Sequence, residues 1–234
     1  MITTTDNLRY PSKEAMIKIL DKEFHFRLQG LEHLKNKTFD EQLTTIKREG
    51  HAIKFIDNPD IKLQLAAVNS DAYTIVHLSN PCEEVQLAAV RNNGMIIQYI
   101  KKPNVTVQHA AVEQNSLAIR HIKNPSQKLQ LKAVKRNGLA IGCVPPSPSE
   151  AVQIAAVKKN SDAILYICNQ FGIIPSEAVQ LAAVRHSGYI IQYFDNPSQA
   201  VRWAALKKTP DVIFYIKNPT EEEKNFAVSK NVDI

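Results

Sequence analysis

A block of 22 residues recurs along most of this 234-residue chain. Its most regular marker is proline, and neighbouring prolines within each of two series lie 22 residues apart. The first series is Pro59, Pro81, Pro103 and Pro125, and the second, after an irregular stretch, is Pro175, Pro197 and Pro219. A fixed period of this size is typical of stacked supersecondary units that bury their apolar faces against one another. The repeat therefore predicts a tandem array, and such arrays are mostly binding surfaces.

Each copy of the block predicts two short helices. In the clearest copy, Val85-Gln-Leu-Ala-Ala-Val90 has its apolar residues at helical spacing, and Met95 to Ile100 predicts a second, shorter helix. Asn80-Pro81 before Glu83 predicts an N-cap, a proline at the first helical position and a capping box. A glycine column just past the first helix predicts left-handed residues that end it. The column contains Gly50, Gly94, Gly138 and Gly188.

Small and polar residues at fixed places in the block refine this prediction. A recurring Ala pair, Ala88-Ala89 in the clearest copy, would let neighbouring helices approach closely. The apolar column that holds Val85 becomes Glu41 in the first copy and Glu223 in the last, as expected for solvent-facing ends of an array. We expect an all-α fold: an α-solenoid of about eight to nine two-helix repeats with an N-terminal helical cap. The arm and capping helices occupy residues 1–40, and the array occupies residues 41–234.

The pattern resembles the short bihelical HEAT-like repeats and the leucine-rich-repeat variant. It is most similar to tandem arrays with the consensus VQLAAV…N…I.YI.NPS in uncharacterised proteins of bacteriophages, giant viruses and bacteria, and the likeness covers about residues 41 to 230. The resemblance implies a helical repeat architecture and carries no catalytic signature. Its phage-like character implies a protein that blocks or sequesters a host factor.

The period breaks twice. Gly142 and the segment Pro145-Pro-Ser-Pro148 interrupt it near residues 142–149, which predicts a bend and a disrupted second helix. Residues 169–175 form an insertion with three apolar side chains, Phe171, Ile173 and Ile174. Insertions in repeat proteins map to loops on one face, often the binding face. Drift of the repeat with tolerated insertions is the alternative explanation for both breaks.

Composition limits the classes of partner. The net charge is +6 and the pI about 9.1, which favours acidic partners: nucleic acid, anionic lipid or an acidic protein face. Three scattered cysteines, Cys82, Cys143 and Cys168, favour reduced thiols in a cytoplasmic protein. The sequence begins without a basic, apolar leader, and no apolar run approaches the length of a membrane span. We therefore expect no membrane association.

A basic run follows the first helices of the last four full copies. Successive helices pack about 8–10 Å apart, so four copies would carry positive charge along roughly 30 Å, enough for a nucleic-acid backbone. The alternative is that these side chains only oppose the helix dipole and cap free carbonyls. The basic run is Lys135, Arg136, Lys158, Lys159, Arg185, Lys207 and Lys208.

Two further columns recur in the array. Aromatic and imidazole side chains recur in the second helix and predict packing between repeats, with stacking on bases as the alternative. This aromatic column is Phe55, His77, Tyr99, His121, Cys143, Tyr166, Tyr193 and Tyr215. A column of glutamines, from Gln42 to Gln180, predicts a structural ladder. His77 and His121 are two repeats apart, too far to share a metal ion. His109 stands in an apolar column and predicts a hydrogen-bonded core histidine.

The sequence predicts no catalytic residues, no metal site and no cofactor, because no phosphate-binding glycine loop, nucleophile elbow or metal-ligand motif is present. The only tryptophan, Trp203, occupies an apolar column, unlike the cleft tryptophan of base-excising HEAT-like proteins. The leading hypothesis is a non-enzymatic module that binds a protein, with Phe171, Ile173 and Ile174 as a candidate contact loop. The alternatives are a nucleic-acid backbone binder that uses the basic run, and a small-molecule or nucleotide binder at the 142–149 bend.

Overall fold

The computed structural model describes residues 11–234. Every regular element in this range is helical and no described residue forms a β-strand, so the all-α prediction is confirmed. The α-helices are α1 (Lys13–Glu23), α2 (His25–Leu28), α3 (Phe39–Arg48), α4 (Ile61–Ser70), α5 (Glu83–Asn92), α6 (Val105–Gln114), α7 (Gln127–Arg136), α8 (Glu150–Lys159), α9 (Ala163–Leu165), α10 (Glu177–His186), α11 (Gln199–Lys208) and α12 (Glu221–Val228).

The second helix of a repeat is a 3₁₀ helix, with the tighter i→i+3 hydrogen bonds that suit a six-residue segment. These helices are Gly50–Phe55, Ala72–His77, Gly94–Tyr99, Ser116–His121, Gly138–Cys143, Gly188–Tyr193 and Pro210–Tyr215, and a further one, Glu32–Asn36, precedes the first repeat. The copy after α8 differs, because α9 continues into a π-helix at Tyr166–Gln170. The disruption predicted at Gly142 is wrong, since Gly138–Cys143 is a complete 3₁₀ helix. A Cβ on Gly142 would lie 2.6 Å from the Tyr166 ring, so the glycine makes room for that ring.

The start of each first helix differs from the prediction. Ser126 caps α7 and Ser198 caps α11, each accepting a hydrogen bond from a first-turn backbone N–H. Asn124 and Asn218, predicted as N-caps, instead have φ values of 53° and 51°. Asparagine tolerates this left-handed conformation better than most residues, so the Asn-Pro pair forms the turn before the cap. The predicted assignment of Asn as the cap was therefore wrong by two residues.

The glycine column also serves a different purpose from the predicted one, because none of its members has a positive φ. Each glycine begins a 3₁₀ helix beside the next repeat. A Cβ on Gly94 would lie 2.4 Å from the carbonyl oxygen of Ala111, and one on Gly138 would lie 2.5 Å from that of Ala156. Glycine is therefore required there by the close approach of two backbones.

The core of each repeat is held by its alanine and glutamine columns. The second residue of each Ala pair is fully buried, as with Ala89 and Ala156. Gln42 donates to the carbonyls of Leu34, Lys35 and Lys37. Every later glutamine of the column donates from Nε2 to the carbonyl oxygen of the proline five residues earlier, at 2.8 Å for Gln86 and Pro81. The same bond occurs at Gln64, Gln108, Gln130, Gln153 and Gln180. The glutamine column is thus a structural ladder within each repeat.

The described residues fall into two compact units. The first unit runs to His121, and the second unit is Ile122–Ile234. In the first unit the helices α3, α4, α5 and α6 pack in that order, and in the second unit α7, α8, α10 and α11 do the same. Within each unit the 3₁₀ helices pack beside their neighbours, which gives the predicted stacked helical repeat. No helix between residues 11 and 234 is both long and apolar enough to cross a membrane. The part of the predicted arm at residues 1–10 lies outside the described range.

The last repeat corrects one prediction about the ends of the array. Glu41 is exposed as expected, but Glu223 is only 1% exposed. Its carboxylate accepts from the backbone N–H of Thr220 in a capping box and pairs with the Arg202 guanidinium. A glutamate in an apolar column can therefore be buried when a cation from the preceding repeat meets it.

Candidate interaction surface on the second unit

The basic run lies on four helices that pack in sequence, α7, α8, α10 and α11. Each of these helices ends in two adjacent basic residues, and all the side chains of the basic run are exposed. Cations are favoured in a last turn because they oppose the helix dipole. The structure therefore brings the seven predicted residues to corresponding positions on consecutive helices, and His186 joins them at the end of α10.

The charges of the basic run are not neutralised locally. Among the residues that the structure describes, no carboxylate forms an ion pair with any of the seven side chains. Residues 122–234 contain 14 Lys and Arg against 9 Asp and Glu, a formal net charge of +5. Arg202 is different, because it pairs with the buried Glu223. The basic run is consequently a source of positive potential available to an acidic partner.

An apolar row lies one helical turn before the basic run. It consists of Leu131, Ile154, Leu181 and Trp203, all half-buried, at the same place in four consecutive repeats. The Trp203 ring meets Phe226 edge-on with 5.6 Å between ring centres. Half-buried apolar side chains beside exposed cations form a mixed surface, with area to bury and charge to orient a ligand.

A groove of about 440 Å³ lies between α8 and α10 on this surface and is called the second groove here. Its floor is apolar and its rim is basic, and no acidic residue of the described range 11–234 lines it. The lining residues are Ile154, Lys158, Ala178, Leu181, Ala182, Arg185 and His186. The small side chains of Ala178 and Ala182 leave a depression between the larger Ile154 and Leu181.

The first unit has a corresponding groove of about 490 Å³ between α5 and α6, called the first groove. Its lining residues are Leu87, Arg91, Val105, Thr106, His109, Ala110, Glu113 and Gln114. The repeat aligns Arg91 with Lys158, Glu113 with Arg185, and Gln114 with His186. Gln114 accepts from the Gly94 N–H at 2.7 Å and donates to the Asn92 carbonyl at 3.3 Å. The two grooves thus share a backbone framework and differ in the charge of their rims.

His109, predicted as a core residue, is half-buried and lines the first groove.

The predicted contact loop is folded back on its own repeat and on the preceding one. The Ile173 N–H donates to the Ile167 carbonyl at 3.1 Å, and Gln170 Nε2 donates to the Gly142 carbonyl at 3.1 Å. Phe171 and Ile173 are half-buried, whereas Ile174 is 91% exposed. Of the predicted trio, Ile174 is therefore the one largely exposed side chain.

Three members of the aromatic column, His77, Tyr99 and Tyr215, contact a ring of the preceding repeat, which agrees with the predicted packing between repeats. The rings pair at a separation of 26 residues: Tyr73 with Tyr99 at 6.3 Å and Tyr189 with Tyr215 at 6.2 Å between centres. Tyr99 is buried in the first unit, while Tyr193 and Tyr215 are about half exposed in the second.

Sequence reasoning missed a polar cluster formed by His51, His77 and Asp71. His51 Nε2 lies 3.0 Å from Asp71 Oδ2 and His51 Nδ1 lies 3.2 Å from His77 Nε2, while Phe24 stacks on His51 at 4.3 Å. Because a carboxylate only accepts, Nε2 of His51 donates to Asp71, and the direction of the hydrogen bond between His51 Nδ1 and His77 Nε2 follows from the ring tautomers. The 26-residue spacing of His51 and His77 matches the ring pairs above and is the signal that identifies the contact.

Burial governs the electrostatics of this cluster. Desolvation, and next the nearby His51, lower the pKa of His77 to about 4, although the Asp21 carboxylate opposes the shift. The hydrogen bond from His51 lowers the pKa of Asp71 despite its partial burial. No group of three or more His, Cys, Asp or Glu residues within 11–234 is arranged to hold a metal ion.

The segment around residues 142–149 takes part in structural hydrogen bonds. Gln153 donates to the Pro148 carbonyl at 2.9 Å, and Gln127 donates to the Ser149 hydroxyl at 2.9 Å. Neither of the two grooves includes a residue of this segment.

No family model matches the chain, and no curated protein or solved structure matches it.

Proposed function

We propose that this chain is a non-enzymatic interaction module that binds a protein partner on the α7, α8, α10 and α11 surface of the second unit. One observation supports this above the others: the unpaired basic run lies beside the half-buried apolar row on four consecutive helices. A module of this kind acts by occupying or sequestering its partner, in line with the phage-like resemblance.

The apolar row favours a protein over a nucleic acid. Binding to phosphate backbones depends on cations and has little use for a floor made of Ile154 and Leu181. Protein interfaces combine an apolar centre with a polar rim. A protein segment with both apolar and acidic side chains could bury the apolar ones against the apolar row and pair the acidic ones with the basic run.

The test is affinity purification with a charge-reversed variant. In Lys158→Glu with Lys159→Glu, the partner should be lost from the eluate, as judged by quantitative mass spectrometry. The matched control is Arg91→Glu, which reverses a last-turn cation at the equivalent position of the first unit and should retain the partner. Equal recovery of the partner with the unaltered protein, the double variant and the Arg91→Glu control would refute the proposed surface.

A nucleic-acid backbone binder is the second candidate, supported by the length of the basic run. If about four of its cations contact phosphates, the logarithm of the association constant should fall with the logarithm of salt concentration at a slope of about −3 to −4. Lys158→Glu with Lys159→Glu should flatten that slope for every sequence tested. Absence of binding to duplex and single-stranded DNA at low salt would exclude this candidate.

A further inference from the structure

We propose that the second groove is the anchor site for an acidic amphipathic protein segment. The groove takes one apolar side chain against Ile154 and Leu181, and carboxylates flanking that side chain contact Lys158 and Arg185. This rests on the proposed function, because it names the chemistry of the partner on the same surface.

The floor supports an apolar anchor. Ala178 and Ala182 leave a depression of about 440 Å³ between Ile154 and Leu181. This volume lies within the 300–1,000 Å³ typical of ligand clefts, so the depression has room for a large apolar side chain. The hydrophobic effect of burying such a side chain favours binding, and it does not require a particular orientation of the side chain.

The rim sets the charge of the occupant. Lys158, Arg185 and His186 lie at the last-turn edge of the groove. At the other end of the same two helices, outside the groove lining, the first-turn residues Glu150 and Glu177 accept hydrogen bonds from the hydroxyls of Ser176 and Ser198. Eight residues separate Glu150 from Lys158 and Glu177 from Arg185, a distance of about 12 Å along each helix. The cations therefore line the last-turn edge of the groove while these carboxylates lie beyond its other end, so the occupant's carboxylates should face the last turns.

The first groove differs from the second in the charge of its rim and the polarity of its floor. Its backbone framework is the same, yet its rim contains Glu113 and its floor contains the polar ring of His109. A segment that carries carboxylates would meet Glu113 there at the position that Arg185 occupies in the second groove. Charge and floor chemistry, rather than shape, therefore assign the anchor to the second groove.

The probe is a short synthetic peptide with leucine at helical spacing and glutamate at the remaining positions, with a partner peptide in which each leucine is alanine. Fluorescence anisotropy with the full chain should give at least about tenfold tighter binding for the leucine peptide, as expected for a buried anchor. Methyl NMR should show shifts at Ile154 and Leu181 on addition of that peptide, and none at Leu87 of the first groove.

The decisive variant transplants the first rim onto the second groove. Arg185→Glu with His186→Gln should raise the dissociation constant of the leucine peptide at least about tenfold, whereas Arg91→Glu should leave it within about twofold. Circular dichroism melting identifies any variant that fails to fold, and Lys158→Gln then serves as the milder rim variant.

The outcomes separate this inference from the proposed function. Equal binding of leucine and alanine peptides would overturn the anchor and leave an acidic protein partner supported by charge alone. Absence of binding by both peptides would overturn the inference, while the affinity purification would still decide the proposed function. Binding of single-stranded DNA that is lost in Arg185→Glu with His186→Gln, without peptide binding, would overturn the inference and favour the nucleic-acid candidate.

Discussion

The two units use one repeat for different surfaces. The first 121 residues contain 15 Lys and Arg against 14 Asp and Glu, whereas residues 122–234 contain 14 against 9. In the first unit several cations are engaged: Lys54 pairs with Asp21 at 2.7 Å, and Arg27 pairs with Glu49 at 2.9 Å. In the second unit no carboxylate within residues 11–234 pairs with the basic run. Positions that hold the same residue in both units maintain the backbone framework, and positions that differ determine what each surface can bind.

The ends of the array should give the largest contrast. Glu223→Ala removes a capping box and leaves Arg202, whose side chain is only 19% exposed, without its partner. We expect a loss of about 3–4 kcal/mol in the free energy of unfolding, because breaking a buried ion pair strands a charge. Denaturant unfolding monitored by circular dichroism measures it. Glu41→Ala at the equivalent, exposed position should cost much less, and equal losses would contradict the burial of Glu223.

Acid should act on the first unit through the polar cluster. The pKa of His77 is lowered from 6.5 to about 4, so the unfolded chain binds a proton that the folded chain does not. The folded state, with its neutral His77 ring, is therefore fully stable with respect to this group above about pH 6.5. Up to about 3 kcal/mol of the free energy of unfolding is lost as the pH falls towards 4. Asp21, Lys54, Lys13 and His51 also act electrostatically on this ring.

Hydrogen exchange followed from pH 7 to pH 4 measures this loss. Protection should fall in Ala72–His77 before it falls in Gly188–Tyr193 of the second unit. The variant His77→Phe introduces the residue found at the equivalent position, Phe55. It should reduce the dependence of stability on pH between 7 and 4. Some dependence should remain, because burial also lowers the pKa of His121 to about 4. An unchanged dependence on pH in His77→Phe would remove His77 as the cause.

The shared framework predicts equal effects in both units. Ala89→Leu in the first unit and Ala156→Leu in the second each force a larger side chain into a fully buried contact between helices. We expect each to cost about 2 kcal/mol in the free energy of unfolding, the usual cost of overpacking. Calorimetry of the two variants checks this. A large cost in one unit and none in the other would mean that the units pack differently despite their common repeat.

The inserted loop should give the smallest effect. Ile174→Ser changes a side chain that is 91% exposed and should alter the free energy of unfolding by less than about 0.5 kcal/mol. Phe171→Ser should cost more, since that ring is half-buried. Thermal melting compares them, and pull-down with Ile174→Ser tests whether the loop contacts a partner. Equal melting temperatures for the two variants would mean that Phe171 does not pack on the repeat.

The period, the all-α fold and the buried alanine column could be predicted because each depends on residues within one copy. The corrections arise where two copies meet. The sequence marks Gly94 as special, but only the position of the Ala111 carbonyl distinguishes close approach from a left-handed turn. Asn-Pro is compatible with both a cap and a turn, so local propensity does not separate the two.

The polar cluster illustrates the same limit at a candidate site. Comparison along one column relates His77 to His121, whereas the contact is diagonal and relates His77 to His51, 26 residues earlier. The basic run was found from the sequence because last-turn positions are easily aligned. The groove beside it was not, because its floor is made by side chains from two successive helices, α8 and α10.

The bond between each glutamine and the proline five residues before it has an evolutionary consequence. Both partners belong to one 22-residue block, so a duplicated block brings its own hydrogen bond and its own turn. Unequal recombination between copies can therefore lengthen or shorten the array in whole steps, and each glutamine amide keeps its carbonyl partner. A lineage could vary the number of copies while altering only the exposed positions that recognise its partner.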